Sequence, residues 1–142
     1  MLVHLEFNIF KETKRINIYE KYFDKAVALG VTFKEFYKAL NMFFKHRYDL
    51  VFDENYLKPA DFIDFCCLIN ITPYKLYDDY YKFVLGTNYS RIIFENRSSL
   101  NLTQKELAKI SSLSPVTIGY FENKLSYPTR KQYRQLKEVL KI

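Results

Sequence analysis

The chain has 142 residues, 49% hydrophobic and 27% charged, with only 3 Gly and 4 Pro, the balance of a folded chain of one ordinary domain or two small ones. No apolar run approaches the roughly 18 residues of a membrane-crossing helix. The first residues, with His4 and Glu6, lack the basic start and apolar core of a signal peptide, so a cytoplasmic protein without a membrane partner is expected. The net charge of +6 is unevenly placed. Residues 1–87 hold 12 basic and 12 acidic side chains, whereas residues 88–142 hold 10 basic and four acidic ones. Twenty of the 26 Phe and Tyr lie before Thr87. A neutral aromatic front (1–87) and a basic back (88–142), divided at Gly86-Thr87-Asn88, predict two units with two tasks.

The first ten residues alternate, with Leu5, Phe7 and Ile9 on one face, which predicts a short strand pairing with Arg15–Tyr19 or across a dimer. From Ile18 the period is helical. Ile18, Tyr22, Ala26 and Leu29 share a face, and Gly30 suits the helix end. Thr32 with Glu35 has the spacing of a capping box before an apolar stripe of Phe33, Phe36, Tyr37, Leu40 and Phe44, of which Phe33, Phe36, Leu40 and Phe44 are expected to be core. Asp49–Tyr56 reads as loop. Pro59 opens a helix carrying Phe62, Ile63, Cys66 and Ile69, and Thr72-Pro73 opens another that continues through Leu76, Tyr77, Tyr80 and Val84.

Helices are also predicted over Arg91–Ser99, after Thr103 with Glu106, after Ser114-Pro115, and after Thr129 with Gln132. Their inward residues are Leu107 and Ile110, then Ile118 and Phe121, then Tyr133, Leu136 and Leu140. The fold class is all-α, with about eight helices.

The chemistry-bearing residues are few. Adjacent Cys66 and Cys67 do not suit a disulfide and are expected to be two buried thiols; only His4 and His46 could join them at a metal. No Ser-His or Cys-His spacing, phosphate-binding glycine loop or metal-ligand cluster is present, so no enzyme, metal or cofactor is expected.

Leu102–Lys124, LTQKELAKISSLSPVTIGYFENK, carries the functional signal. Thr103 caps a helix whose Leu107 and small Ala108 face inward. Ser111-Ser112-Leu113 makes a turn with Leu113 as its buried plug, and Ser114 caps a second helix anchored by Ile118. With Glu122-Asn123 behind and Arg97 ahead, this order of residues resembles the helix-turn-helix of the Cro/phage-repressor (XRE) family over Tyr89–Ile142. Ser112 and Lys124 stand where the family usually has Gly, and Asn96 where an aliphatic is usual. The resemblance implies a buried Arg97–Glu122 ion pair and a second helix entering the DNA major groove. Its outward residues, Pro115, Val116, Thr117, Gly119 and Tyr120 behind Ser114, include no Arg, Gln or Asn for bidentate base readout. Apolar contact to thymine methyls by Val116, Thr117 or Tyr120 is expected instead, with phosphate contacts from Gln104, Lys105, Lys124, Arg130 and Lys131.

A shift of 42 residues lays Phe65-Cys66 on Leu107-Ala108, Ile71-Thr72-Pro73 on Leu113-Ser114-Pro115 and Leu76 on Ile118. A degenerate copy is expected there, with an acidic and aromatic outer face of Tyr74, Tyr77, Asp78 and Asp79. Gly30-Val31-Thr32 hints at a third, although Lys25 falls where Leu107 should be.

Two functions remain open. One is a DNA-binding transcriptional repressor of a low-GC bacterium or its phage, with residues 1–87 for dimerisation or sensing and a homodimer on double-stranded DNA. The other is a phage-encoded inhibitor of the anti-CRISPR or antirepressor kind, whose residues 1–87 bind a bacterial protein while the helix-turn-helix controls its own promoter. An exposed Tyr/Phe patch on the front half would favour the second.

Overall fold

A computed structural model describes residues 9–45, 47 and 49–142, with side chains from Thr13 onward. The described residues form eight α-helices and one two-stranded hairpin, in two units, Met1–Tyr77 and Asp78–Ile142.

In the first unit, α1 (Ile9–Ala28) and α2 (Phe33–Phe44) are followed by the hairpin β1 (Phe52–Asp53) and β2 (Tyr56–Leu57), α3 (Pro59–Leu68) and a 3-10 turn at Pro73–Leu76. Ile18, Tyr22 and Ala26, spaced by four on α1, are fully or nearly buried with Phe36 and Phe43 of α2 and Phe62 and Phe65 of α3. Phe65 meets Phe36 and Phe43 edge-on, each at 5.4 Å between ring centres, the geometry that aligns a positive ring edge with a negative face.

Three expectations are corrected here. Arg15–Tyr19 is not a strand partner but the middle of α1, because its neighbours bury every fourth residue rather than every second; the rest of the predicted strand, residues 1–8, lies outside the described residues. The hairpin lies instead in the segment read as loop. Glu54 and Asn55 both take left-handed backbone, φ 50° and 68°, the conformation a two-residue turn needs to match strand twist. The Tyr22 hydroxyl accepts the Leu57 amide at 2.9 Å and ties that hairpin to α1. Third, only Cys66 is buried, its thiol pushed up to about 12 by desolvation, while Cys67 is exposed. Adjacent residues on a helix point about 100° apart, so both thiols cannot face one core.

The second unit holds α4 (Asp79–Gly86), α5 (Tyr89–Ser99), α6 (Gln104–Ser111), α7 (Pro115–Glu122) and α8 (Arg130–Leu140). The units divide ten residues earlier than the composition break at Thr87. Phe83 of α4 stacks on Tyr133 of α8 at 4.9 Å, and Asp78 pairs with Arg130 at 2.6 Å. The helix predicted to run from Pro73 through Val84 is two pieces. Tyr77 is extended, and Asp78 caps α4 by accepting the Tyr81 amide at 2.9 Å. Asp78 therefore belongs to no outer acidic face. With residues 78–87 included, the second unit holds 11 basic and six acidic side chains.

One local device joins helices in both units. Gly30-Val31-Thr32, Asn70-Ile71-Thr72, Asn101-Leu102-Thr103 and Ser112-Leu113-Ser114 each run left-handed residue, aliphatic, hydroxyl. In each, the aliphatic amide returns to the carbonyl five residues back: Val31 to Ala26, Ile71 to Cys66, Leu102 to Arg97 and Leu113 to Ala108, at 2.8–3.1 Å. This closes the orphan carbonyls of one helix end, and at Thr32, Thr103 and Ser114, though not at Thr72, the hydroxyl caps the helix that follows.

Candidate nucleic-acid interface

The candidate surface is built on α6, a three-residue turn and α7. The Thr103 hydroxyl accepts the Glu106 amide and the Glu106 carboxylate accepts the Thr103 amide, both at 3.0 Å, so α6 starts in a complete capping box. Those hydrogen bonds hold the Glu106 carboxyl below its ordinary range. Leu107 and Ala108 are buried, and the buried Ser111 hydroxyl donates to the Leu107 carbonyl at 2.7 Å. Ser112 then turns the chain at φ 61° and Leu113 is half-buried rather than a fully buried plug. Ser114 accepts the Thr117 amide at 3.1 Å, and Pro115 occupies the first helical position, where its missing N–H costs nothing.

Alpha-helix 7 is sharply two-sided. Ile118 and Phe121 are buried, whereas Val116 is 61% and Tyr120 48% exposed. Ser114 and Pro115 are exposed and Thr117 is half-buried beside them. The inner side is locked by Glu122. Arg97 Nε and Nη2 donate to its two carboxylate oxygens at 2.7 and 2.9 Å, and Gln104 Nε2 donates to the same carboxylate at 3.0 Å. Arg97 Nη1 also donates to the Leu102 carbonyl at 2.8 Å. The Arg97 and Glu122 side chains are 12% and 6% exposed. The carboxylate's hydrogen bonds outweigh the cost of burial and keep the guanidinium firmly charged. One carboxylate thus holds α5, α6 and α7 together. Upstream on α5, Asn96 is also satisfied, donating to the Ile92 carbonyl at 2.8 Å.

The predicted phosphate-facing residues separate into two groups. Lys105, Lys124 and Lys131 are exposed. Gln104 is half-buried and its amide is turned to Glu122. Arg130 leaves the surface altogether. Its side chain is 8% exposed, paired with Asp78, with its guanidinium 4.5 Å from the Tyr80 ring centre and 4.8 Å from that of Tyr81. Burial disfavours its charge, and the Asp78 carboxylate more than restores it. Arg130 sits one residue after the Thr129 cap, so position alone marks it as a phosphate ligand. Only the fold brings Asp78, 52 residues away, to meet it. Ile110, expected to face inward with Leu107, is instead 56% exposed; sequence reasoning also missed the exposed Leu125 and missed Gln104 as a partner of Glu122.

Comparison with family models, with characterised proteins and with solved structures finds no match to this chain. Among the described residues no group of three or more His, Cys, Asp or Glu side chains could hold a metal ion, and no helix is long and apolar enough to cross a membrane.

Proposed function

We propose that this chain is a sequence-specific regulator of transcription, a repressor, that reads double-stranded DNA with α7 in the manner of the XRE-family proteins its second unit resembles. The observation that carries the reading is the exposed Val116–Tyr120 face on a helix clamped from behind by Glu122, with Lys105 and Lys124 exposed on the flanking segments. A clamped helix can enter a groove without losing further entropy, and the lysines meet the phosphates on either side. Gly119 supports this. A Cβ there would meet only Gln104 Oε1, at an ordinary 3.7 Å, so internal packing does not require glycine. A mid-helix glycine costs about 1 kcal/mol against alanine, and its benefit lies in the close approach of something outside.

The readout follows from side-chain chemistry. Val116, Thr117 and Tyr120 offer methyl groups and a ring rather than paired donors and acceptors. They select thymine methyls, and part of the specificity comes from DNA shape. A two-fold dimer would set two such helices on half-sites about one helical turn apart.

A second reading, an inhibitor carried by a phage or mobile element, has one observation in its favour: Phe33 and Tyr37 of the first unit are exposed rather than core. A surface of that kind suits a protein partner. Selection of random duplexes by the full chain separates the two. The repressor reading predicts AT-rich enrichment, relaxed at one or two base pairs by Val116→Ala. A guanine-specific motif would assign readout to other residues, and no enrichment would favour the inhibitor.

A further inference from the structure

The apolar stripe of α2 does not end in the core. Phe33 and Tyr37 stack on each other at 5.9 Å and are 39% and 36% exposed. Across the helix pair, Tyr19 and Phe23 of α1 stack at 4.3 Å, and Phe23 meets Phe33 edge-on at 6.0 Å. Beneath them lies the fully buried Phe36, 5.8 Å from Tyr19 and 5.1 Å from Phe23. The result is a continuous mosaic of aromatic rings held rigid from below and open above, with Val27 exposed at its α1 edge. Rings fixed in this way lose little entropy when a partner covers them.

The charges beside the mosaic are segregated by helix. Exposed Glu20 and Asp24 adjoin Tyr19 and Phe23 on α1, whereas exposed Lys34 and Lys38 adjoin Phe33 and Tyr37 on α2. A surface with acids on one ridge, lysines on the other and aromatic rings between is complementary to its own two-fold copy. Laying α1 of one protomer over α2 of the other matches acids to lysines twice and buries the rings in the middle. Patches that meet themselves about a two-fold axis are the commonest basis of homodimers. A heterologous partner would need no such sign alternation.

We propose that the face formed by Tyr19 and Phe23 of α1 and Phe33 and Tyr37 of α2 is a homodimer interface, with Glu20 and Asp24 of one copy set against Lys34 and Lys38 of the other. This takes the dimer of the DNA reading and adds where it forms. The test uses no DNA, so either can fail without the other.

Sedimentation equilibrium of the full chain measures it. The parent is expected to be dimeric at micromolar concentration. Phe33→Lys with Tyr37→Lys should weaken the dimer by about 100-fold, with helical circular dichroism little changed because each ring is already more than a third open to solvent. Should that double variant lose helicity, the charge variants decide instead. Lys34→Glu with Lys38→Glu, and separately Glu20→Lys with Asp24→Lys, should each weaken association about tenfold, and all four together should restore it. A chain monomeric to hundreds of micromolar would overturn the proposal. So would a dimer indifferent to the ring substitutions, or a four-fold charge reversal that fails to restore association.

Discussion

The turns at Asn70 and Ser112 begin alike and end differently. Both residues are left-handed, at φ 56° and 61°, and both are followed by an aliphatic amide that returns five residues, at 3.0 Å from Ile71 and 2.8 Å from Leu113. Phe65-Cys66 and Leu107-Ala108 are buried at matching positions before them, and Leu76 and Ile118 after them. Ser114 then caps an eight-residue helix, while Thr72 makes no side-chain cap bond and the chain manages only four residues of 3-10 turn. The turn is a local device that the chain uses repeatedly. What makes one instance a candidate reading helix is the cap after it and the Glu122 clamp behind it, and neither has an equivalent after Asn70.

Removing the clamp has the largest expected effect. Glu122→Ala leaves a nearly buried Arg97 charge without its carboxylate and costs roughly 3–5 kcal/mol. The exposed Arg91–Glu95 pair is the control, and Glu95→Ala should leave stability nearly unchanged. Denaturant unfolding of both variants checks the contrast, and a Glu122→Ala protein as stable as the Glu95→Ala one would remove the clamp from the account.

The caps come next. Ser114→Ala deletes the acceptor for the Thr117 amide and should cost about 1 kcal/mol, whereas Thr72→Ala deletes no cap bond and should be nearly silent. The left-handed residues allow a change of opposite sign. Ser112→Gly relieves a conformation that L-residues resist and should stabilise by up to about 1 kcal/mol. Asn70→Gly should gain less, because asparagine tolerates this region. Thermal melting reads both pairs.

Acid gives the smallest effect. The Glu35 and Glu106 carboxyls are held below their usual value of 4.5 by the capping bonds to Thr32 and Thr103. A folded-state pKa below the unfolded one contributes stability that is present above the unfolded value and lost as pH falls through the folded one. The α2 and α6 starts should therefore fray as pH falls below about 4.5, seen as a loss of protection of their first amides relative to the intrinsic exchange rate at each pH. The start of α8 is capped by neutral Gln132 and should not respond.

Short-range signals were the legible ones. Thr32 with Glu35, Thr103 with Glu106, Ser114-Pro115 and Thr129 with Gln132 all cap helices where their spacing says they should, because a cap depends on residues three positions apart. The burial of Leu107, Ile118 and Leu136 follows from helical period alone. What failed required distant partners. Asp78 ends one segment and starts α4 because its second oxygen meets Arg130, and that same contact removes Arg130 from the candidate interface. The hairpin at Glu54-Asn55 lacks the glycine that marks such turns, and period cannot distinguish the buried from the open side of an aromatic stripe, so Phe33 read as core.

The central claim is that the Lys-flanked α7 surface binds the DNA backbone and groove. Its most direct test is the affinity of the full chain for a random-sequence duplex measured against salt concentration. With about three phosphate contacts per reading unit, from the exposed Lys105, Lys124 and Lys131, log K should fall against log salt with a slope of about −3. Lys105→Ala, Lys124→Ala and Lys131→Ala should each reduce the slope by about 1. Arg130→Lys, at a buried position, should leave the slope unchanged in whatever fraction folds. A flat salt response, or a slope that ignores all three exposed lysines, would contradict the account.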